Sequence, residues 1–219
     1  MLQKSTLLFL RALAVNNNRE WFATNKSRYE QASVDFEHFV AELLSSFAKL
    51  NPVLKDLTPK DCIFRIYRDI RFSLDKTPYK TNFGAGINQG GKKVQLAGAY
   101  IHIEPGNRSF IAGGRWMPEK NDLKKIRQEI DYQTDEFLSI INHKEFKKRF
   151  GTLEDYKLKK APKDYDSSHP HIEWLKYTSY IVSMPVADEV LFSEKAIKVL
   201  TDAYKSMMPF LNFLNRSLD

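Results

Sequence analysis

Apolar residues recur at steps of three and four near the start of the chain, at steps of two in the middle and at helical spacing again after Pro118, which predicts helices, then a sheet, then helices. Ser5 is placed to cap a short helix ending at Asn16, Asn17 and Asn18, where a second start follows. From about residue 26 to 50, Phe36, Phe39, Val40, Leu43, Leu44, Phe47 and Leu50 share one helical face until Pro52 ends the run. Residues 63–68, 82–88, 94–104 and 108–116 read as strands, with turns at Gly90-Gly91 and Gly106-Asn107. Pro118 suits the first turn of a helix carrying Leu123, Ile126, Ile130, Phe137 and Ile141 inward. Residues 179–184 alternate as a further strand, and residues 194–214 form a last helix that Pro209 is expected to kink or split. The pattern predicts one α+β domain over residues 1–219: a mainly antiparallel sheet of about five strands, packed on one face by long N-terminal, central and C-terminal helices.

Composition narrows the class without changing that outline. With 42% hydrophobic and 28% charged residues among 219, the chain has the material for a core and is neither disordered, collagenous nor a coiled coil. Cys62 stands alone, so no intrachain disulfide and no cysteine-rich zinc site is possible, and a cytoplasmic location fits best. Arg11 interrupts the apolar run Leu7 to Leu10, and no stretch of spanning length exists, so no membrane partner is expected.

The net charge of +7 is clustered. Residues 144–163 carry +5 as lysines and an arginine interleaved with acids, the pattern of a solvated surface. Residues 60–93 also carry +5, but here the charge is arginine-led and lies in strand and turn sequence. Arg65, Arg68 and Arg71 recur every third position, followed by Lys76, Tyr79 and Lys80. The planar guanidinium fork binds phosphate or carboxylate through two parallel, charge-assisted hydrogen bonds. Strand alternation puts Arg65 and Tyr67 opposite Phe64 and Ile66, and puts Tyr100, His102 and Glu104 opposite Ala99, Ile101 and Ile103. If the strands are neighbours, one sheet face presents Arg65, Tyr67, Tyr100, His102, Glu104 and Arg115, with Gly84, Gly86, Gly98 and Gly113 leaving room for a ligand. The competing arrangement is a salt-bridged polar face in which Asp69, Asp75 and Glu104 neutralise Arg65, Arg68 and Arg71.

Other chemistry finds little support. Gly86, Gly91 and Lys92 have P-loop spacing, but Lys93 replaces the magnesium-binding hydroxyl and a strand follows instead of a helix. His102-Ile103-Glu104 lacks the cysteine pair of zinc deaminases. His169, His171 and Glu173 read as a loop and helix cap more readily than as metal ligands. Cys62 shows no activating neighbour, and no nucleotide-cofactor or metal motif is present.

Longer blocks carry a family resemblance: Asn17-Asn18-Arg19-Glu20-Trp21-Phe22 with Asn25-Lys26 and Tyr29, then Arg65 to Ser73 with Asp75-Lys76-Thr77-Pro78-Tyr79-Lys80. With Tyr100, His102, Glu104-Pro105, Gly113, Trp116, Pro118, Ile126-Arg127, Ala161-Pro162 and His169-Pro170, they resemble the uncharacterised family catalogued as domain of unknown function 2461. Lys163-Asp164 departs from the lysine-glycine expected there. The resemblance covers nearly the whole chain and implies no activity, substrate or catalytic residue. Three functions remain open on the residues themselves. The first is a site for a small, phosphorylated or nucleotide-like anion at Arg65, Arg68, Arg71, Lys76 and Lys80, with Tyr67, Tyr79, Tyr100 and Arg115 around it and His102 or Glu104 as acid-base groups. The second is nucleic-acid association through both basic segments, with Tyr67, Tyr79 or Trp116 stacking on bases. The third is a scaffold in which the arginine motif only fixes the fold.

Overall fold

The structure is a computed structural model that describes residues 1–218. Its helices form where the apolar period predicts, with several ends set by tertiary contacts. Helix α1 (Lys4–Val15) starts one residue before Ser5, with Gln3 as its N-cap, so Ser5 lies inside the first turn. The free donors at that end are met by Asp35 of the long helix α3 (Lys26–Ala48), whose carboxylate accepts from the Gln3 backbone N–H and the Thr6 hydroxyl. Between them, α2 (Arg19–Thr24) is capped by Asn18, whose Oδ1 accepts the Trp21 N–H at 2.9 Å.

Thr58 and Asp61 close a hydrogen-bonded cap around the short helix α4 (Pro59–Cys62), where the Thr58 N–H donates to the Asp61 carboxylate at 2.9 Å. The strands are β1 (Phe83–Ile87), β2 (Gly98–Ile103), β3 (Ser109–Arg115) and β4 (Tyr180–Val186), in one antiparallel sheet of order β1-β2-β3-β4. Residues 63–68, expected as a strand, make only two isolated antiparallel bridges, Ile63 to Ala85 and Tyr67 to Tyr79. Between those bridges one chain advances four residues and the other six, so the register slips, and beyond the Tyr67–Tyr79 bridge Pro78 offers no N–H to extend the pairing.

The central helix divides into α5 (Lys120–Tyr132) and α6 (Thr134–Asn142) at Gln133, and α5 begins at Lys120, two residues after Pro118. After it come α7 (Lys144–Phe150), α8 (Ile172–Leu175), α9 (Asp188–Leu191) and α10 (Ala196–Arg216). Pro209 lies inside α10 without splitting it, because Pro209 and Lys205, whose carbonyl loses its helical donor, are both exposed to water.

The fold groups into two compact units: Met1–Val94 with Tyr100–Ile111 and Pro185–Asp202, and Gln95–Ala99 with Ala112–Met184 and the residues from Ala203 on. In the first, α3 covers β1 through Phe36 stacked on Phe83 at 5.2 Å. The second buries Phe137 against Phe213 and Phe146 against Phe210. Here Gly114, at φ +134, is required by the close approach of β4, since a Cβ would stand 1.9 Å from the Tyr180 carbonyl oxygen.

Candidate functional site

All the predicted site residues except Arg115 belong to the first unit, but they serve three separate arrangements. Arg68 and Arg71 are consumed within their own loop. The Arg68 guanidinium grips Asp75 and the Thr77 hydroxyl and reaches Ser73 Oγ at 3.4 Å. Arg71 makes a two-pronged pair with Asp69, Nε to Oδ1 at 2.9 Å and Nη2 to Oδ2 at 2.6 Å. Lys76 Nζ caps the Ile70 carbonyl at 3.0 Å. Both aspartates are held well below the usual carboxylate range, to about 2: Asp69 mainly by the Arg71 side chain, Asp75 mainly by the Thr77 backbone N–H and then by Arg68.

Tyr79 is buried and stacks on Phe22 at 4.0 Å and 13°, so its ring is not open to a base or ligand. Tyr67 is half exposed and packs beside Phe22 and Tyr79. The N-terminal and arginine-rich sequence blocks meet here, because Asn17 brackets Tyr79 with two hydrogen bonds to its backbone.

The second arrangement lies on β2. Its alternation is as predicted, with Ala99, Ile101 and Ile103 buried and Tyr100, His102 and Glu104 on the other face. His102 Nε2 meets Glu104 at 3.0 Å, and its Nδ1 faces Asn82 Nδ2 at 3.3 Å and the Tyr100 hydroxyl at 3.4 Å. The ring stacks on Phe110 at 4.5 Å and 11°. Glu104 also pairs with Arg108 at 2.9 Å and accepts from Thr81 at 3.3 Å. Every polar atom of the His102 ring is engaged by protein.

At Gly84, Gly86 and Gly113 the expected ligand space is filled by side chains. A Cβ on Gly84 would stand 2.5 Å from the Tyr100 hydroxyl, one on Gly86 would touch the Phe64 ring, and one on Gly113 would strike Met207 Sδ. Arg115 does not join the His102 row: it is buried in the second unit, where Nη2 binds Asp122 at 2.8 Å and Gln95 at 2.9 Å. There also Trp116 is exposed, edge-to-face with Tyr156 at 4.7 Å.

Among the predicted site arginines, Arg68, Arg71 and Arg115 are paired, whereas the exposed Arg65 guanidinium makes no ion pair among the described residues. It lines a cleft of about 540 Å³ between α3 and residues 60–66. Tyr29, Phe36, Ile63 and Phe83 give the cleft an apolar body, and Lys60, Arg65 and Lys92 give it a basic edge. Glu37 is the one acidic side chain lining it among the described residues, and the Ser33 hydroxyl, also in the lining, hydrogen-bonds the Tyr29 phenol. Burial pushes the Tyr29 phenol up, so it stays neutral. Lys80 stands next to this edge: its Nζ caps the Arg65 carbonyl at 3.0 Å and lies 5.6 Å from the Phe64 ring centre, and burial, then Arg65, push its pKa down.

Lys92 reaches the cleft from the turn after β1. That turn is a short 3₁₀ segment, Gly91–Lys93, leading to β2 and not to a helix, as the rejected P-loop spacing requires. Glycine is needed at position 91, where φ is +65 and a Cβ would stand 2.5 Å from the Asp61 carbonyl oxygen, and Lys92 Nζ bonds the Lys60 carbonyl. Sequence reasoning assigns none of Lys60, Lys92, Tyr29, Ser33 and Glu37 to a site, naming Lys92 only in the rejected P-loop spacing and Tyr29 only in the family resemblance. The only available signal was the positive count over residues 60–93, because the cleft depends on α3 lying beside residues 60–66.

The remaining candidates have other partners. His169 Nε2 pairs with Asp131 at 2.9 Å, while Glu173 pairs with Lys176 at 2.6 Å, so they do not converge on one point. Cys62 is buried, and burial followed by Asp61 pushes its thiol up to about 11. A family model described as "Conserved hypothetical protein (DUF2461)" matches residues 5–213. No curated protein and no solved structure matches the chain.

Proposed function

The chain belongs to the conserved hypothetical DUF2461 family, and we propose that it binds a small anionic ligand with an aromatic or heterocyclic part, such as a nucleotide, in the cleft beside α3. The observation that carries this reading is Arg65: an exposed guanidinium without an ion pair, at the edge of an apolar cleft it shares with Lys60 and Lys92. Three cations around one space repel each other, and a bound phosphate relieves that repulsion while accepting charge-assisted hydrogen bonds. Tyr29, Phe36 and Phe83 supply aromatic surface for a ring, and Ser33 and Glu37 supply an acceptor pair for ligand hydroxyl or amino groups. A cleft of about 540 Å³ falls within the usual range for small-molecule sites.

Calorimetric titration with adenosine monophosphate, phenyl phosphate and inorganic phosphate tests this. The first two should bind more tightly than inorganic phosphate, and Arg65→Ala should weaken both by at least about tenfold without changing thermal stability. Affinity should fall gently with salt, with a logarithmic slope of about −1 to −2 and not the steep slope of a polyanion contact. Undiminished binding by Arg65→Ala rejects the site.

Association with nucleic acid is the second reading, and Trp116 favours it: the ring is exposed, braced by Tyr156, and the lysines of residues 157–163 follow Tyr156 in the chain. Its test is retention of single-stranded oligonucleotide at low salt, lost in Trp116→Ala.

A further inference from the structure

The loop that neutralises its own arginines carries two large apolar side chains that stay exposed, although the Arg71 guanidinium lies 5.9 Å from the Phe72 ring centre. Phe72 is 96% exposed and Leu74 is 102% exposed. A loose loop can hide such residues by collapsing onto the protein, but this one is braced from below. Arg68 bridges Ser73, Asp75 and Thr77; Asp75 Oδ1 takes the Thr77 N–H at 2.9 Å; Lys76 Nζ and the Ser73 N–H both bond the Ile70 carbonyl. The bracing holds Phe72 and Leu74 out in water, where each is least favourable.

We propose that this apex is a membrane-surface anchor, in which Phe72 and Leu74 enter the interface of an anionic bilayer while the basic base of the loop faces the headgroups. Charge points to the anionic surface. Residues 65–80 hold Arg65, Arg68, Arg71, Lys76 and Lys80 against Asp69 and Asp75, a net +3. Asp69 and Asp75 cancel Arg71 and Arg68 in internal pairs, so the +3 that meets an anionic surface is carried by Arg65, Lys76 and Lys80.

Area and shape favour a bilayer over a protein partner. One Phe buries about 150–250 Å², so two neighbouring side chains fall far short of the roughly 1,200 Å² of a stable protein interface. A bilayer needs no matching groove. No helix among the described residues is long and apolar enough to cross a membrane, but surface association needs no span, so the proposal departs from the expectation of no membrane partner. Two apolar residues on a basic loop lie on the surface and give reversible binding.

Sedimentation with vesicles tests the proposal. The protein should pellet with phosphatidylcholine vesicles containing about 30% phosphatidylserine and stay in solution with phosphatidylcholine alone. Phe72→Ser/Leu74→Ser should lower the partition at least about tenfold with an unchanged melting temperature, since both side chains are fully exposed, and Lys76→Glu should lower it too. A Phe72→Trp reporter should shift its emission to the blue with the anionic vesicles. Equal partition of the double variant and the parent protein overturns the proposal, as does absence of binding to the anionic vesicles. Conversion of an oligomer to a monomer by the same double variant, without vesicles, also overturns it and makes the apex a protein contact.

Discussion

Asn17 holds Tyr79 as a neighbouring strand would: its Nδ2 donates to the Tyr79 carbonyl at 2.9 Å and its Oδ1 accepts the Tyr79 N–H at 3.1 Å. The two residues are 62 positions apart, and the bond pair fastens the arginine-rich segment to the start of α2. Phe22, on the same short helix, completes the attachment by stacking on the Tyr79 ring.

Replacing Asn17 by Ala leaves both Tyr79 backbone groups without protein partners beside a buried ring. Each unpaired group costs about 1–3 kcal/mol, so Asn17→Ala should destabilise by about 2–4 kcal/mol. In a chain of this size that lowers the melting temperature by about 5–15 °C. Asn17→Asp retains the acceptor and loses the donor, and should fall between Ala and the parent protein in the same calorimetric scan.

The helices and strands were legible because their apolar periods come from burial. Ala99, Ile101 and Ile103 face the interior as alternation predicts, and Phe36, Phe39 and Leu43 do so on α3. What alternation alone does not contain is register. Residues 63–68 have the period of a strand, but the slip against residues 79–85 and the missing donor of Pro78 reduce them to two bridges. The same blindness affected the site. Charge spacing marked Arg65, Arg68 and Arg71 alike, whereas pairing separates them: Asp69 and Asp75 lie within reach of Arg71 and Arg68 along the loop and leave Arg65 unpaired. The sequence marks Asn17 only as part of the end of the first helix and of the family resemblance, since a side chain that imitates a strand has no periodic signature.

Asp75 offers a titration that separates the causes of its low pKa. The Thr77 backbone N–H comes first, the Arg68 side chain second and the Thr77 hydroxyl third, together bringing it from 3.8 to about 2. Arg68→Ala should therefore raise the Asp75 pKa only part of the way, followed by carboxyl-carbon NMR. A carboxylate depressed in the folded state stabilises that state above its ordinary pKa and loses the contribution as pH falls towards 2. The acid-induced loss of stability should accordingly be smaller in Arg68→Ala and level off at higher pH than in the parent protein, with its onset, set by the unfolded carboxyl, unchanged.

Cys62 should be nearly inert as a thiol. With its pKa pushed up to about 11, about one molecule in a thousand is thiolate at pH 8, against about one in ten for an ordinary value near 9. Ellman's reagent at pH 8 should modify the folded protein at least about a hundredfold more slowly than the protein in denaturant, because burial adds to the low thiolate fraction. A pKa raised in the folded state means that folding loses stability as pH climbs past the unfolded value of about 9. Cys62→Ala should flatten that alkaline limb.

Gly84 and Tyr100 should be coupled energetically. A methyl group on Gly84 would stand 2.5 Å from the Tyr100 hydroxyl and 3.1 Å from its Cε2 and Cζ, so Gly84→Ala forces the ring to move or the strand to bend. Overpacking of this kind costs about 1–3 kcal/mol. Tyr100→Phe removes the atom responsible for the worst contact and leaves the ring edge in place, so it should recover part of the loss and not all of it. The double variant should then be more stable than the sum of the single effects by about 1 kcal/mol, read from urea unfolding of all four proteins. Strict additivity would mean that Tyr100 leaves the Gly84 surface in solution, with its hydroxyl no longer beside His102.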